Sequence, residues 1–196
     1  MASQPGAPLL LRNRMSACAR LRFHCGRHVL WDSRLQAGAK LEVPDPGYAD
    51  IEIDACHLDP HTQVASTLST RIDGGFARSW NELPLLVAKL LRTAGSSGFV
   101  VEQEAQPGAG AIGLLNLTAA DVRFQFRFLR TPFACAVNVL QQAECSIGLS
   151  SIHLAVTVDG TTTAPLPLLP WSGSTLSIEP IGDDGEPHLR WLPSRP

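Results

Sequence analysis

The residues best placed by type and spacing to do chemistry are the histidines and the acid of Cys56-His57-Leu58-Asp59-Pro60-His61. In an extended chain His57, Asp59 and His61 share one face, because side chains alternate with a period of two. Two imidazoles and a carboxylate on one face of a divalent iron leave three positions open for substrate and oxygen. His57 and Asp59 supply two of the three ligands. His153, inside the apolar segment Ile152-His153-Leu154, is the natural third. The expected cofactor on this reading is Fe(II).

This His-x-Asp pair with a distant histidine resembles the ligand set of the β-barrel non-haem iron oxygenases. The resemblance covers His57, Asp59 and His153 and implies an oxidative enzyme. Members of that family that use 2-oxoglutarate carry an arginine soon after the distal histidine. Here the next arginine after His153 is Arg190, so that co-substrate has no evident counter-ion.

Other motifs are weaker. Gly108-Ala-Gly110-Ala-Ile-Gly113 spells G-x-G-x-x-G, but no helix long enough to bind a dinucleotide fits before Asp121. A Gly/Ala turn is the economical reading. No G-x-S-x-G nucleophile motif occurs. Cys135 and Cys145 stand among apolar neighbours, which raises a thiol's pKa and lowers its reactivity. The five cysteines form no C-x-x-C pair and are expected to be buried and reduced. Three features suit binding. Arg123, Arg127 and Arg130 line the outer face or end of one strand and would meet an anionic partner surface. Trp31 and Trp171 lie at strand ends and could stack on a sugar or another ligand. Lys40 and Lys89 are the only lysines among 16 Lys plus Arg, so the cationic side chains are forked guanidiniums almost throughout.

The elements that must position these residues are mostly strands. Ala17, Ala19, Leu21 and Phe23 alternate with Cys18, Arg20, Arg22 and His24. Ala49, Ile51, Ile53 and Ala55 alternate with Asp50, Glu52 and Asp54. Val122, Phe124, Phe126 and Phe128 alternate with Asp121, Arg123, Gln125 and Arg127. A row of carboxylates on one strand needs opposing positive charge, so the Asp50/Glu52/Asp54 strand is expected beside the Arg20/Arg22 strand. Shorter strands are expected near 29–31, 41–43, 64–72, 99–104, 111–118, 133–140, 151–158, 175–179 and 188–191. Ser79-Trp80-Asn81-Glu82 fits a capping box, and Leu83, Leu86, Val87, Leu90 and Leu91 fit a helical stripe. One amphipathic helix is therefore expected over about 80–94, ended by Gly95. No repeat with a period of 20–50 residues is visible.

The chain has 196 residues, 44% hydrophobic and 17% charged, with a net charge of −2. This suits one globular domain and excludes disorder, a fibre and a bulk electrostatic pull toward nucleic acid. Residues 1–12 read as a flexible tail and 13–192 as a single β-rich domain. No run approaches a transmembrane helix, and the N-terminus lacks a signal-peptide core, so a cytoplasmic protein, or one exported without such a signal, is expected. The fold expected is mainly β: an antiparallel β-sandwich or partly closed barrel with the one helix. The function that fits is non-enzymatic binding or assembly, through a protein partner or self-association, as in a subunit of a phage-like tail or secretion tube. The iron oxygenase and a lectin-like, carbohydrate- or ligand-binding module are the alternatives.

Overall fold

The computed structural model describes residues 6–58, 65–74, 83–93, 96–106, 110–148, 152–168, 173–182 and 185–192. Within them the chain is built from β-strands. The alternating segments form strands for the expected reason: one side of each meets the core and the other meets water. The Phe strand, β10 (Val122–Phe128), buries every second residue, and Phe124 and Phe126 are wholly buried. Each such side chain contributes roughly 1.5–3 kcal/mol by leaving water.

Four sheets result. Sheet I has the order β4 (Lys40–Val43), β1 (Leu9–Asn13), β16 (Thr175–Ile181), β17 (Glu186–Leu192). Sheet II has β3 (His28–Leu35), β2 (Ala19–Cys25), β13 (Ile152–Val158), β14 (Thr161–Thr162), with β15 (Leu166–Pro167) also on β13. Sheet III has β11 (Ala134–Val139), β10, β5 (Ile51–Leu58), β6 (Ala65–Ile72). Sheet IV has β12 (Glu144–Ile147), β9 (Ile112–Asn116), β7 (Pro84–Thr93), β8 (Ser96–Ala105). One hydrophobic cluster draws side chains from all four. None closes into a barrel among the described residues, and the arrangement is sandwich-like, as the alternation predicts.

Three expectations are corrected. Residues 9–12, assigned to a loose tail, belong to β1, where Leu9 and Leu11 are fully buried. The helix over about 80–94 is absent: Pro84–Thr93 is strand β7, paired along its whole length with β8. Residues 79–82, which carried the capping box, and Gly95 lie outside the described residues. The third concerns charge. The Asp50/Glu52/Asp54 strand does not lie beside the Arg20/Arg22 strand; β5 is flanked by β10 and β6, and β2 by β3 and β13.

The topology reveals a repeat longer than a 20–50-residue scan detects. Sheets I and IV have the same plan, with β1, β4, β16 and β17 matching β9, β12, β7 and β8. Sheets II and III match likewise, with β2, β3 and β13 corresponding to β10, β11 and β5. Each half of the chain lends strands to the other's sheets. β1 lies parallel to β16 and β9 parallel to β7, the two parallel pairings among the described strands. The register is reproduced: Arg14 N–H donates to Ile178 O and Leu117 N–H to Ala88 O, both at 2.8 Å.

The hinge of each half is a buried asparagine. Asn13 Nδ2 donates to the carbonyls of Ala17 (2.9 Å), Leu35 (2.9 Å) and Gln36 (3.1 Å), and its Oδ1 accepts from Met15 N–H. Asn116 Nδ2 donates to Ala120 (2.8 Å), Val139 (3.0 Å) and Leu140 (3.1 Å), and its Oδ1 accepts from Thr118 N–H. An amide has two protons, so one is shared in each set. Both clasps tie the exit of one strand to the far end of the next hairpin, where the Gln36 and Leu140 carbonyls also accept the turn amides of Ala39 and Ala143.

Candidate functional site

The expected metal ligands are placed as follows. His57 faces inward from β5 in sheet III, 3% exposed, stacked on Phe99 at 5.1 Å between ring centroids. His153 is on the outward side of β13 in sheet II, stacked on His24 at 5.6 Å. Asp59 and His61 lie outside the described residues. Among the described residues no group of three or more His, Cys, Asp or Glu is disposed to hold a metal ion.

Trp31 stacks on Phe23 (5.2 Å, 17°) and meets the edge of Phe133 (5.8 Å), so its ring packs against the core at the edge of sheet II. Trp171 lies outside the described residues. The five cysteines are free thiols. Burial pushes Cys135 up to about 12 and lifts Cys145, the latter against a smaller opposing pull from Arg27.

The arginines expected to face a partner divide. Arg127 is engaged within its own sheet, 3.0 Å from Glu52 and 2.8 Å from Asp54. The carboxylate row of β5 thus has its cation on β10, the structural counterpart of β2. Arg71 on β6 takes Asp50 at 2.5 Å. The Gly74 amide, with Arg71, holds the Asp50 carboxyl below its ordinary value. Arg130 occupies a left-handed turn position, φ 64°. Arg123 borders an open depression of about 490 Å³ lined by Arg27, His28, Arg123, Ala136 and Asn138.

Two larger features were not legible as sites from sequence. They are the outer faces of sheets I and IV. On sheet IV, Leu85 and Val87 of β7 stand on the same side as Leu115 and Leu117 beside them. Val87 is 3% exposed yet stands outside the core cluster, while Leu91 and Leu117 are 44% and 46% exposed. Lys89 pairs with Glu102 on this face, and Glu104 and Glu144 stand at its margins. On sheet I the corresponding positions carry Arg12 and Arg14 for Leu115 and Leu117, and Thr175 and Ser177 for Leu85 and Val87. Glu179 there accepts from Arg14 (3.2 Å) and Arg190 (2.9 Å). Charge is exchanged between the two faces at three matched positions: Lys40, Glu179 and Arg190 on sheet I stand where sheet IV has Glu144, Lys89 and Glu102.

Among the described residues no helix is long and apolar enough to cross a membrane. No protein-family model, no curated protein and no solved structure matches the chain.

Proposed function

We propose that this chain is a non-enzymatic assembly protein that associates with further copies of itself, the sheet IV face of one copy docking on the sheet I face of the next. The observation that carries this reading is the inequality of two matched surfaces in one molecule. The matched face does without Leu85, Val87, Leu115 and Leu117, so the plan of the sheet does not require them. Leu91 and Leu117, 44% and 46% exposed, leave apolar side chains open to water on this face, and exposed apolar surface marks a contact site. The three exchanged charges support a second copy as the occupant: the carboxylate-rimmed apolar face finds opposite charge on the matched face of another copy. Sheet I carries acids too, Glu42 outward beside Leu10 and Glu179 between Arg14 and Arg190. A contact between two different faces is heterologous, and repeats as a ring or an open filament.

The test is sedimentation or light scattering over a concentration series up to ~1 mM at low and high salt. The wild type associates beyond a dimer, more weakly at high salt. The double variant Leu115→Arg, Leu117→Arg installs residues that the fold already accepts at positions 12 and 14, and it stays monomeric with an unchanged near-ultraviolet spectrum. Mixed with wild type, it still offers an intact sheet I face and caps growing chains. A wild type that remains monomeric, or a variant that cannot bind wild type at all (the result of apolar face on apolar face), overturns the proposal.

A further inference from the structure

The depression beside Arg123 differs from its counterpart in the other half in one decisive respect. In sheet II, Arg20 on β2 forms a fork on Asp32 of β3, Nε to Oδ1 at 2.9 Å and Nη2 to Oδ2 at 2.6 Å, and Arg22 joins at 3.4 Å. The register makes Arg123 the match of Arg20: Arg20 pairs with Arg34 across β2–β3, and Arg123 with Asn138 across β10–β11. The match of Asp32, which stands opposite Arg22, is Ala136, opposite Gln125. The second half has therefore kept the guanidinium and lost the carboxylate that would neutralise it. Into the same space the β2–β3 turn brings Arg27 and His28. Among the described residues neither Arg27 nor Arg123 forms an ion pair and no carboxylate lines the depression.

We infer that this depression binds a small oxyanion, the phosphate or sulfate group of a small molecule, held between the Arg27 and Arg123 guanidiniums with Asn138 and His28 as further donors. Two forks presented to one space match the oxygens of a tetrahedral anion, and charge-assisted hydrogen bonds of this kind are about twice as strong as neutral ones. The surroundings agree. Burial, and next the Arg27 charge, hold His28 below its ordinary pKa. The Asn138 side chain projects outward from β11 beside Arg123 and supplies amide protons. This inference is independent of the assembly proposal, since the depression lies on sheets II and III.

The test is a titration of the full chain by amide NMR with inorganic phosphate, sulfate and, separately, acetate, at ionic strength held constant with chloride. Saturable shifts at Arg27, His28 and Asn138 are expected with phosphate or sulfate, at least tenfold tighter than with acetate. Arg123→Gln weakens binding at least tenfold. Ala136→Asp does the same, because the new carboxylate takes Arg123 as Asp32 takes Arg20; the matched position already holds Asp, so this variant folds. Arg20→Gln, in the satisfied half, leaves the affinity unchanged. Shifts reproduced by chloride alone, tighter binding of acetate, or an Ala136→Asp variant that binds phosphate as tightly as the parent would overturn the inference.

Discussion

Sheets I and IV are built to one plan, and their cores are interchangeable in kind, yet their outer faces are not. One is covered by Arg12 and by Arg14 and Arg190 paired with Glu179, the other by Leu85, Val87, Leu115 and Leu117 around one Lys89–Glu102 pair. The backbone is satisfied in both, so the fold did not choose the surface. Exposed ion pairs contribute little to stability, so the polar face is not explained as a stabilising device. The same contrast recurs in sheets II and III, where an arginine is satisfied by Asp32 in one half and left facing Ala136 in the other. In both comparisons the features shared by the halves hold the fold, and the features that differ are where binding is to be sought.

The largest effects should come from what the halves share. Asn13→Asp and Asn116→Asp each remove the donors for three carbonyls and place a carboxylate against them. The Gln36 and Leu140 carbonyls each keep a turn amide, so at about 1–3 kcal/mol for each buried group that loses its donor, either substitution should lower the unfolding free energy by ~2 kcal/mol or more in urea. The second clasp has an extra member: Thr118 Oγ1 lies 2.8 Å from Asn116 Oδ1 and 2.7 Å from Ala120 O, and its single proton serves one of them. Thr118→Val should therefore cost less than either asparagine change. If one asparagine proves dispensable, the two clasps are not equivalent and the comparison fails at its root.

What was legible in the sequence follows from the same distinction. β2, β5, β10 and β13 were readable because one side is apolar and the other polar, which writes the period of two into the residues. β7 was unreadable for the reason that makes sheet IV interesting. Leu85-Leu86-Val87-Ala88 is apolar on both sides, since Leu86 and Ala88 enter the core and Leu85 and Val87 face outward. With the alternation erased, a leucine-rich run satisfies a helical stripe equally well. The charges on β5 mislead for a different reason. A cation does oppose the carboxylates of β5, but it is Arg127 on β10 and not Arg20 or Arg22 on β2, because the chain exchanges strands between halves. Local pattern identifies a strand; it does not say which of two matched strands lies next to it. The depression at Arg27 and Arg123 joins residues far apart in sequence and carried no local signal beyond Arg123 itself.

A pH measurement sharpens the comparison at an intermediate scale. Cys135 stands on β11 opposite Phe126, where the matched position on β3, opposite Phe23, is Trp31. Burial, with a smaller contribution from Cys25, raises the Cys135 thiol from 9.0 to about 12. The folded chain then keeps a proton that the unfolded chain releases above pH 9. A group raised in the folded state contributes fully below its unfolded pKa, and the contribution is lost as pH rises toward the folded value. Stability should fall between about pH 9 and 12 with a slope of up to roughly 1.4 kcal/mol per pH unit from this one group. Cys135→Ala should flatten that limb in urea unfolding followed across the range. An unchanged slope would mean that the alkaline loss arises elsewhere, and that Cys135 and Trp31 are no more than alternative core fillers.

The smallest effect tests whether the loops as well as the sheets are matched. The turn joining β3 to β4 places Gly38 at φ 71°, and the turn joining β11 to β12 places Gln142 at φ 53°. Glycine enters this left-handed region without steric cost, whereas a side chain is strained there by about 1 kcal/mol. Gln142 offsets part of that by donating from Nε2 to Thr118 O at 3.1 Å, which ties the turn to the second asparagine clasp. Nothing lies within 4 Å of a Cβ built on Gly38, so Gly38→Ala meets no clash and should cost only the conformational ~1 kcal/mol. Gln142→Gly exchanges relief of strain for loss of a hydrogen bond of similar worth, and should move the unfolding midpoint by less than Gly38→Ala does. If Gln142→Gly proves as damaging as an asparagine change, the glutamine is part of the clasp, and the second half is held by a broader network than the first.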